Sequence, residues 1–301
     1  MAFIPAYIHL SEKGELSRRI RLLEEFLNAC HLCPRRCGVN RLDGEIGYCG
    51  AGSELMVSSA FPHFGEERPL VGRHGSGTIF LTHCNLRCVF CQNYDISHLG
   101  RGETITTDDM ACAMLRLQEV GCHNINFVTP THYAPQIVAS LPDAIRMGLR
   151  IPIVYNCSGY ESLDVIRLLE GVVDIYMPDA KYMDEKYSNQ FSNAPDYPQV
   201  LREVLKEMHR QVGDLTINSR GIAERGLLIR HLVMPQGVAS SEEVLKFIAE
   251  DLSPHSYVNI MDQFRPEYRA HEYPGLGRRI LPKEYMEAIQ MAKRLHLYRG
   301  F

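Results

Sequence analysis

Three cysteines lie close together in the stretch THCNLRCVFCQN, where Cys84, Cys88 and Cys91 have the spacing C-x3-C-x2-C. Thiolates at this spacing can bind three corners of an iron–sulfur cube, whereas an ordinary [4Fe–4S] cluster has four cysteine ligands. The fourth iron is then open to a ligand that is not protein, and the amino and carboxylate groups of a methionine moiety can chelate it. The alternatives are dispersed core cysteines or a zinc site, which prefers four ligands with cysteines in C-x2-C pairs.

A second group of four cysteines precedes this stretch, with the spacing C-x2-C-x3-C-x11-C. Its members are Cys30, Cys33, Cys37 and Cys49. Four thiolates complete a tetrahedral shell, which fits a structural zinc that holds a Gly-rich loop. The C-x2-C-x3-C start also fits an auxiliary [4Fe–4S] cluster. Because thiolates suit both metals, the ligand type leaves zinc and a cluster open.

The composition limits the classes of partner and compartment. The chain has 301 residues and ten cysteines, and its formal net charge is −4. This mild charge gives no basic footprint, so we expect no nucleic-acid partner. No apolar run is long enough to span a bilayer, and the start MAFIPAYIHLSEKGEL lacks the cationic and apolar regions of a secretory signal. We therefore expect a cytoplasmic protein without a membrane partner, whose cysteines serve as metal ligands and not as disulfides.

Hydrophobic periodicity predicts the elements that position the cysteines. Residues 10–29 have a helical pattern, and a Gly-, Pro- and Cys-rich stretch follows to about Gly52. From Gly77 onward, six strands alternate with helices. The strands are GTIFLTH, NINFVT, IPIVYN, VVDIYM, GLLIRHLVM and SYVNIM. Capping-box spacing predicts helix starts at Thr106 and at Ser240, each with an acidic residue three positions later.

This alternation implies parallel strands joined by crossover helices. It predicts an α/β fold for residues 76–301, as an open doubly wound sheet or a partial (β/α)6 barrel. Residues 1–75 form a helical, Cys-rich extension in this prediction. The segments 183–196 and 264–279 are predicted to cover the mouth of the barrel.

In such barrels the chemistry lies at the carboxyl ends of the strands. Polar residues follow three of the predicted strands: Thr129 and Thr131, then Asn156 and Ser158, then Asp179 and Lys181. Arg230 and His231 lie on the fifth strand, where a charge needs a partner or a polar cavity. These groups could bind an acid group of a ligand, and an internal ion pair is the alternative for Asp179. For the threonines and for Asn156, the alternative is a strand end or a turn.

Several long strings in the sequence resemble one family. They are CHLCPRRCGVNRLDGEIGYCGAG, SSAFPHFGEERPLVG, GSGTIFLTHCNLRCVFCQNYDIS, GCHNINFVTPTHYAPQI, VDIYMPDAKY, EMHRQVGD and LLIRHLVMPQG. Nearly the whole chain is similar to the pyruvate formate-lyase-activating-enzyme-like branch of the radical S-adenosylmethionine superfamily. The resemblance implies a partial (β/α)6 barrel, one catalytic [4Fe–4S] cluster on the cysteine trio, and S-adenosylmethionine as cofactor.

The resemblance also implies which residues contact the cofactor. Relatives bind the methionine end of S-adenosylmethionine after the second strand and its ribose after the third. The corresponding positions are Thr129 and Thr131 after the second strand and Asn156 and Ser158 after the third. Further candidates for contact with the cofactor are Lys181 and Arg230, whose charges suit its carboxylate, and Phe90, the aromatic residue before the last cysteine. No catalytic residue is assigned beyond these.

The reaction implied by the resemblance is reductive cleavage of S-adenosylmethionine to methionine and a 5′-deoxyadenosyl radical, which abstracts hydrogen from an unknown substrate. One candidate substrate is a protein glycine, as in activators of glycyl radical enzymes; a small molecule or peptide is the alternative. Such activators usually carry DGPG-R before the trio and a GGEP-type motif after the second strand, where this chain has RHGSG and VTPTH. We expect a low-potential ferredoxin or flavodoxin to donate the electron. The competing class is a non-catalytic iron–sulfur electron carrier, which would not bind S-adenosylmethionine.

Overall fold

The computed structural model describes residues 3–301, so the first two residues of the predicted extension lie outside it. In the described chain the strands are β1 (Leu55–His63), β2 (Ser76–Leu81), β3 (Glu103–Ile105), β4 (Ile125–Val128), β5 (Ile153–Cys157), β6 (Ile175–Pro178), β7 (Thr216–Ile217), β8 (Ala223–Leu232) and β9 (Tyr257–Met261). The helices are α1 (Ala6–Glu12), α2 (Glu15–Glu25), α3 (Arg68–Val71), α4 (Tyr94–Ser97), α5 (Thr107–Glu119), α6 (Ala134–Arg146), α7 (Leu163–Leu168), α8 (Glu185–Ser192), α9 (Tyr197–Val212), α10 (Ser241–Phe247) and α11 (Pro282–Arg294).

Six strands are parallel and lie in the order β2-β4-β5-β6-β8-β9. They correspond to the six predicted strands, and α5, α6, α7, α9 and α10 lie in the crossovers between them. The middle strands β5 and β6 are buried along their whole length. This is expected for parallel strands whose outer face is covered by helices and whose inner face lies inside the barrel. The predicted α/β partial barrel is confirmed.

Three further strands extend this sheet, and the sequence does not predict them. β1 pairs antiparallel with β2, β3 pairs antiparallel with β1, and β7 pairs antiparallel with β8. β3 and β7 are too short to show a period, and β1 has no regular alternation of buried and exposed residues. Because His63 of β1 faces Ser76 of β2, the sheet runs across the predicted boundary between residues 75 and 76.

The single helix predicted for residues 10–29 is instead two helices, and that prediction is wrong in its bounds. Gly14 separates α1 from α2 with a left-handed φ of 72°, which glycine adopts without steric cost. Leu16 and Leu23 are buried on one face of α2, which packs against α6. The Cys-rich stretch that follows contains only a short 3-10 turn at Arg41–Asp43.

One of the two predicted capping boxes is confirmed. The side chain of Thr106 accepts a hydrogen bond from the N–H of Asp109 at 3.1 Å, and the Asp109 carboxylate accepts one from the N–H of Thr106 at 3.0 Å. The capping box predicted at Ser240 is wrong. The backbone of Ser240 is left-handed, with φ 52°, and its side chain forms no capping hydrogen bond. Across the described residues, no helix combines the length and the apolar character needed to cross a bilayer.

Candidate active site

A cavity of about 240 Å³ opens where the carboxyl ends of the parallel strands meet the loop that follows β2. It is lined by the cysteine trio, by strand-end residues and by neighbours of both. The lining residues are Cys84, Leu86, Cys88, Phe90, Cys91, Gln92, Asn93, Ser97, Val128, Thr129, Asn156, Cys157, Ser158, Asp179, Lys181, Arg230, Leu232, Met261 and Gln263. Of the residues predicted for the catalytic cluster and the cofactor, all except Thr131 are among them.

Hydroxyl groups contact two of the three thiols. The Ser192 hydroxyl donates to Cys88 Sγ at 3.1 Å, and Ser97 Oγ lies 3.1 Å from Cys91 Sγ. Burial, with a smaller effect of the neighbouring Cys88, raises the pKa of Cys84 to about 12. Burial also raises the pKa of Cys88 and of Cys91. Buried thiols of this kind become thiolates only beside a compensating positive charge, which bound iron supplies.

Ser192 is positioned by the N-terminal segment, a connection that the sequence does not reveal. Arg35 donates to the carbonyl of Ser192 at 2.9 Å and to the carbonyl of Asn85, next to Cys84, at 3.1 Å. Its guanidinium also lies 3.9 Å from the ring centroid of Tyr48. The four-cysteine segment therefore packs directly against the loop that carries the cysteine trio.

Thr129 lines the cavity in a strained backbone conformation. Its φ is 60°, which is rare for a β-branched residue and rarer still before a proline. Its N–H donates to the carbonyl of Asn156 at 2.8 Å, and the Asn156 side chain accepts from Arg230 at 2.7 Å. Strain of this kind persists only where the surrounding structure enforces it, and it concentrates at functional sites.

Ser158 lines the cavity one position before a glycine that no other residue can replace without rearrangement. Gly159 has φ 75°, and a Cβ there would lie 2.7 Å from the carbonyl oxygen of Asp179. This glycine allows the ends of β5 and β6 to approach closely.

A charged network connects β6 with β8 on the cavity wall. Asp179 accepts from Lys181 Nζ at 2.6 Å and from Arg230 Nε at 2.8 Å. Burial alone would raise the pKa of Asp179, but Arg230 and Lys181 outweigh it and hold the pKa below its usual value. Burial alone would lower the pKa of Lys181, but Asp179 outweighs it and raises the pKa. The Lys181 ammonium stays charged and has donors left for an acid group of a ligand.

Glu66, which the sequence analysis misses, is a second carboxylate beside Arg230. Its Oε2 lies 3.6 Å from Arg230 Nη1, and its Oε1 lies 3.3 Å from His63 Nδ1. The next residue, Glu67, accepts a hydrogen bond from Asn259 of β9 at 2.8 Å. The segment between β1 and β2 thus reaches into the barrel and contacts strands on its far side. Only the pairing of β1 with β2, which the sequence does not predict, could have indicated this.

Both segments that were predicted to cover the mouth contact the cysteine loop. The N–H of Val89 donates to the carbonyl of Phe191 at 2.9 Å, and the Val89 carbonyl accepts from the N–H of Arg269 at 2.9 Å. The ring of Phe90 is buried, and its centroid lies 5.8 Å from that of Phe264. The loop is enclosed between α8 and the segment after β9.

Thr131, which is predicted to contact the cofactor, and two histidines do not line the cavity. The Thr131 hydroxyl donates to Glu161 at 2.9 Å in a fully buried position behind β5. His132 contacts the carbonyl of Thr82 at 2.8 Å, and burial lowers its pKa to about 3. His231 lies against the carbonyl of residue 180 on the outer side of β8. These side chains stabilise the fold around the site and do not contact its ligand space.

In the four-cysteine segment, Cys30, Cys33 and Cys49 are buried and Cys37 is exposed. Burial raises the pKa of Cys33 and of Cys49, and the other cysteines of the group raise it further. Over residues 3–301, no three Cys, His, Asp or Glu side chains converge closely enough to hold a single metal ion. Thiolates on an iron–sulfur cube bind separate irons and do not converge on one point.

The donor set of the cavity fits the cofactors predicted for it. Three thiols lie on one side, and Asn156, Ser158, Lys181 and Arg230 lie on the wall around them. Cations suit the carboxylate of S-adenosylmethionine, and short polar side chains suit its amino and ribose groups. The residues present therefore fit a [4Fe–4S] cluster with three protein ligands and S-adenosylmethionine beside it.

Comparison with known proteins agrees with this geometry. The family model of the Radical SAM superfamily matches residues 78–223, from β2 to the start of β8. The chain is also 33% identical over 291 residues to an uncharacterized protein of Methanocaldococcus jannaschii, and the match covers 94% of this chain and 79% of that protein. The superfamily implies a [4Fe–4S] cluster and S-adenosylmethionine as cofactors. This chain belongs to the radical S-adenosylmethionine superfamily.

Proposed function

We propose that this protein is an enzyme that abstracts a hydrogen atom from an organic substrate in the cavity at the mouth of the barrel. The observation that carries the proposal is that the cysteine trio and the polar strand ends line the same cavity. A [4Fe–4S] cluster with S-adenosylmethionine supplies the chemistry when bound, which is reductive cleavage to methionine and a 5′-deoxyadenosyl radical.

The residues of the chain bind and orient the reactants in this proposal. Cys84, Cys88 and Cys91 would hold three irons of the cluster, and Lys181 and Arg230 would attract the carboxylate of S-adenosylmethionine. Asp179 keeps both cations charged and in place through its contacts at 2.6 and 2.8 Å. Lys181 contacts only Asp179 among the carboxylates, so its ammonium keeps donors for the carboxylate of the cofactor.

In this proposal the amino and ribose groups of the cofactor contact Thr129, Asn156 and Ser158. The left-handed backbone of Thr129 ends β4 at the cavity, and its N–H is held by the carbonyl of Asn156 at 2.8 Å. Asn156 is fixed by Arg230, so its position does not depend on the ligand. Such preformed contacts lower the cost of orienting a bound molecule.

The substrate lies on the side of the cavity formed by β8 and β9. Leu232, Met261 and Gln263 line this side, which suits a substrate with an apolar part and a hydrogen-bonding group. A small molecule or a peptide fits this description. Activation of a glycyl radical enzyme is the second candidate and rests on the family resemblance.

The electron comes from outside the chain, from a low-potential ferredoxin or flavodoxin in this proposal. A surface depression of about 270 Å³ lies over the cysteine loop and is lined by Val89, Arg87, His98 and Arg269 among others. Arg87, which has no carboxylate partner among residues 3–301, suits an acidic carrier that approaches the cluster, whereas Arg269 is paired with Glu272.

Replacement of Cys88 by alanine tests the proposed function. The variant and the native protein are purified and reconstituted without oxygen, and 5′-deoxyadenosine formation from S-adenosylmethionine is measured with dithionite as reductant. We expect the product from the native protein and none from Cys88→Ala. The matched control is Cys112→Ala, which removes a thiol on α5 outside the cavity and should keep the activity. Product from Cys88→Ala would disprove the ligand assignment, and failure of the native protein to bind S-adenosylmethionine would favour the electron-carrier function.

A further inference from the structure

A second cavity, of about 660 Å³, lies at the opposite end of the barrel from the cysteine loop. It is bounded by the residues that precede β2, β4 and β8 and by α3. Reactions in barrels of this kind take place at the carboxyl ends of the strands, so this cavity at their amino ends is a different site. Its volume lies in the range of small-molecule sites, about 300–1,000 Å³.

Basic side chains dominate the lining of this cavity. They are Arg68, Arg73, Arg220, His74 and His123. Within residues 3–301, none of the three arginines forms an ion pair with a carboxylate. Some exposed arginines elsewhere form such pairs, as Arg210 does with Glu170 and Glu207, whereas others such as Arg21 and Arg116 do not. The charge of the cavity is therefore not compensated, although the whole chain is negative.

Glu66 also lines this cavity, but its carboxylate is engaged by other groups. Its oxygens lie 3.6 Å from Arg230 and 3.3 Å from His63. It is 7% exposed and forms part of the wall that separates the basic cavity from the cavity of the cysteine trio. The contacts with Arg230 and His63 balance the negative charge of Glu66. Glu66 is therefore not a partner of the three arginines.

The two histidines lie side by side on the wall of this cavity. The rings of His74 and His123 have centroids 5.5 Å apart. Burial lowers the pKa of His123, and the neighbouring His74 and Arg220 lower it further. A concave surface lined by charges of one sign concentrates the electric field and attracts ligands of the opposite sign.

The backbone shapes this cavity through a glycine that tolerates no side chain. Gly72 has φ +46°, and a Cβ there would clash with Ile222 and lie 2.6 Å from His123 Nε2. The chain between α3 and β2 can therefore pack closely against the start of β8. This close packing places Arg73 and His74 beside Arg220, which lies at the turn before β8.

We propose that this cavity binds the diphosphate group of a small molecule. Arginine guanidinium groups bind phosphate oxygens through paired hydrogen bonds, so three of them match a group that carries several negative charges, and neutral histidine rings beside them can donate further hydrogen bonds. A single phosphate would leave part of this charge unbalanced. The volume of the cavity also leaves room for an organic part attached to the diphosphate.

Isothermal titration calorimetry with inorganic pyrophosphate tests this site on the full-length, anaerobically reconstituted protein at about 0.15 M ionic strength. We expect saturable binding with one site per chain in the native protein. In the double variant Arg73→Ala/Arg220→Ala we expect affinity lower by at least about tenfold, because two bidentate contacts are lost. Both side chains are exposed and unpaired, so their removal should leave the fold intact.

The matched control is Arg21→Ala/Arg116→Ala, which removes two exposed arginines on α2 and α5 and changes the net charge equally. It should bind pyrophosphate as the native protein does. All three proteins keep every cysteine, so an effect of pyrophosphate on bound iron would be common to them. The proposal is overturned by absence of binding to the native protein, by native affinity in Arg73→Ala/Arg220→Ala, or by an equal loss in the control. None of these outcomes bears on cleavage of S-adenosylmethionine at the other end of the barrel.

Discussion

The hydroxyl of Ser192 donates a hydrogen bond to the sulfur of Cys88, with 3.1 Å between Oγ and Sγ. The two residues are far apart in the chain, and α8 brings the serine to the cysteine loop. Ser192 Oγ also lies 3.0 Å from the hydroxyl of Tyr182, and Arg35 holds its carbonyl. Hydrogen bonds to cluster sulfurs influence the reduction potential, so the position of Ser192 bears on how readily the cluster accepts an electron.

Replacement of Ser192 by alanine should lower the midpoint potential of the catalytic cluster. A donor to a ligand sulfur stabilises the reduced cluster more than the oxidised one, because the reduced cluster is more negative. The expected shift is on the order of tens of millivolts in the negative direction. A redox titration followed by electron paramagnetic resonance of the reduced cluster measures it.

The control for this experiment is Ser188→Ala, which removes a buried hydroxyl from the same helix. Ser188 donates to the carbonyl of Glu185 at 3.2 Å and has no contact with a cysteine. Its variant should keep the native potential. An unchanged potential in Ser192→Ala, or an equal shift in both variants, would show that this hydrogen bond does not tune the cluster.

The metal of the four-cysteine segment, an auxiliary [4Fe–4S] cluster or a structural zinc, can be identified by counting iron and zinc, and we expect the cluster. We expect about eight irons per chain after anaerobic reconstitution, since two clusters hold four irons each. Cys33→Ala, which removes a buried thiol of this segment, should reduce the count to about four. Cys122→Ala, a buried cysteine outside both groups, should keep about eight. About four irons together with one zinc in the native protein would identify a structural zinc site instead.

The six parallel strands and the residues at their ends could be predicted because each depends on local sequence. An apolar run predicts a buried strand, and the fold rule places the polar residue that follows it at the carboxyl edge. Thr129, Asn156, Ser158 and Lys181 line the cavity, as this rule predicts. Thr131 does not, because the chain turns after Pro130 and its hydroxyl then contacts Glu161 behind β5.

The rest of the site depends on contacts between distant segments, which leave no local signal. Ser192 lies in a polar stretch that has no pattern beyond a helix of eight residues. Glu66 reaches Arg230 only because β1 pairs with β2 and directs the intervening segment into the barrel. Arg35 is one of several arginines in the Cys-rich stretch, and only the fold shows that its guanidinium contacts the loop of the trio.

Lys181 should contribute to the affinity for S-adenosylmethionine. Its ammonium lines the cavity beside the trio and uses one contact on Asp179, which leaves donors for the carboxylate of the cofactor. We expect Lys181→Ala to weaken binding by about tenfold or more, since a hydrogen bond to a charged group contributes about 1.5–3 kcal/mol. Equilibrium dialysis of labelled S-adenosylmethionine with the reconstituted protein measures this.

The control for Lys181→Ala is Lys186→Ala, which removes an exposed lysine on α8 outside the cavity. Its affinity should equal that of the native protein. Native affinity in Lys181→Ala with a full complement of iron would assign the carboxylate to another group, and Arg230 would then be the next candidate.

Glu161 should make the stability of the protein decrease as pH rises from acid to neutral. Its carboxylate is buried and accepts hydrogen bonds from Thr131 at 2.9 Å and from Tyr155 at 3.1 Å. Burial outweighs these bonds and raises the pKa from 4.5 to about 7. Between these two values the folded chain binds a proton that the unfolded chain releases, so the free energy of unfolding falls as pH rises through this window.

We therefore expect Glu161→Gln to match the native protein near pH 4, where the carboxyl is protonated in both states, and to be more stable near pH 8. The difference at pH 8 should reach roughly 3 kcal/mol, because each unit of pKa shift corresponds to about 1.4 kcal/mol. Urea unfolding at a series of pH values measures it, with Glu203→Gln on the exposed face of α9 as the control that should follow the native protein throughout. An equal stability difference at pH 4 and pH 8 would mean that Glu161 acts through packing and not through its ionisation.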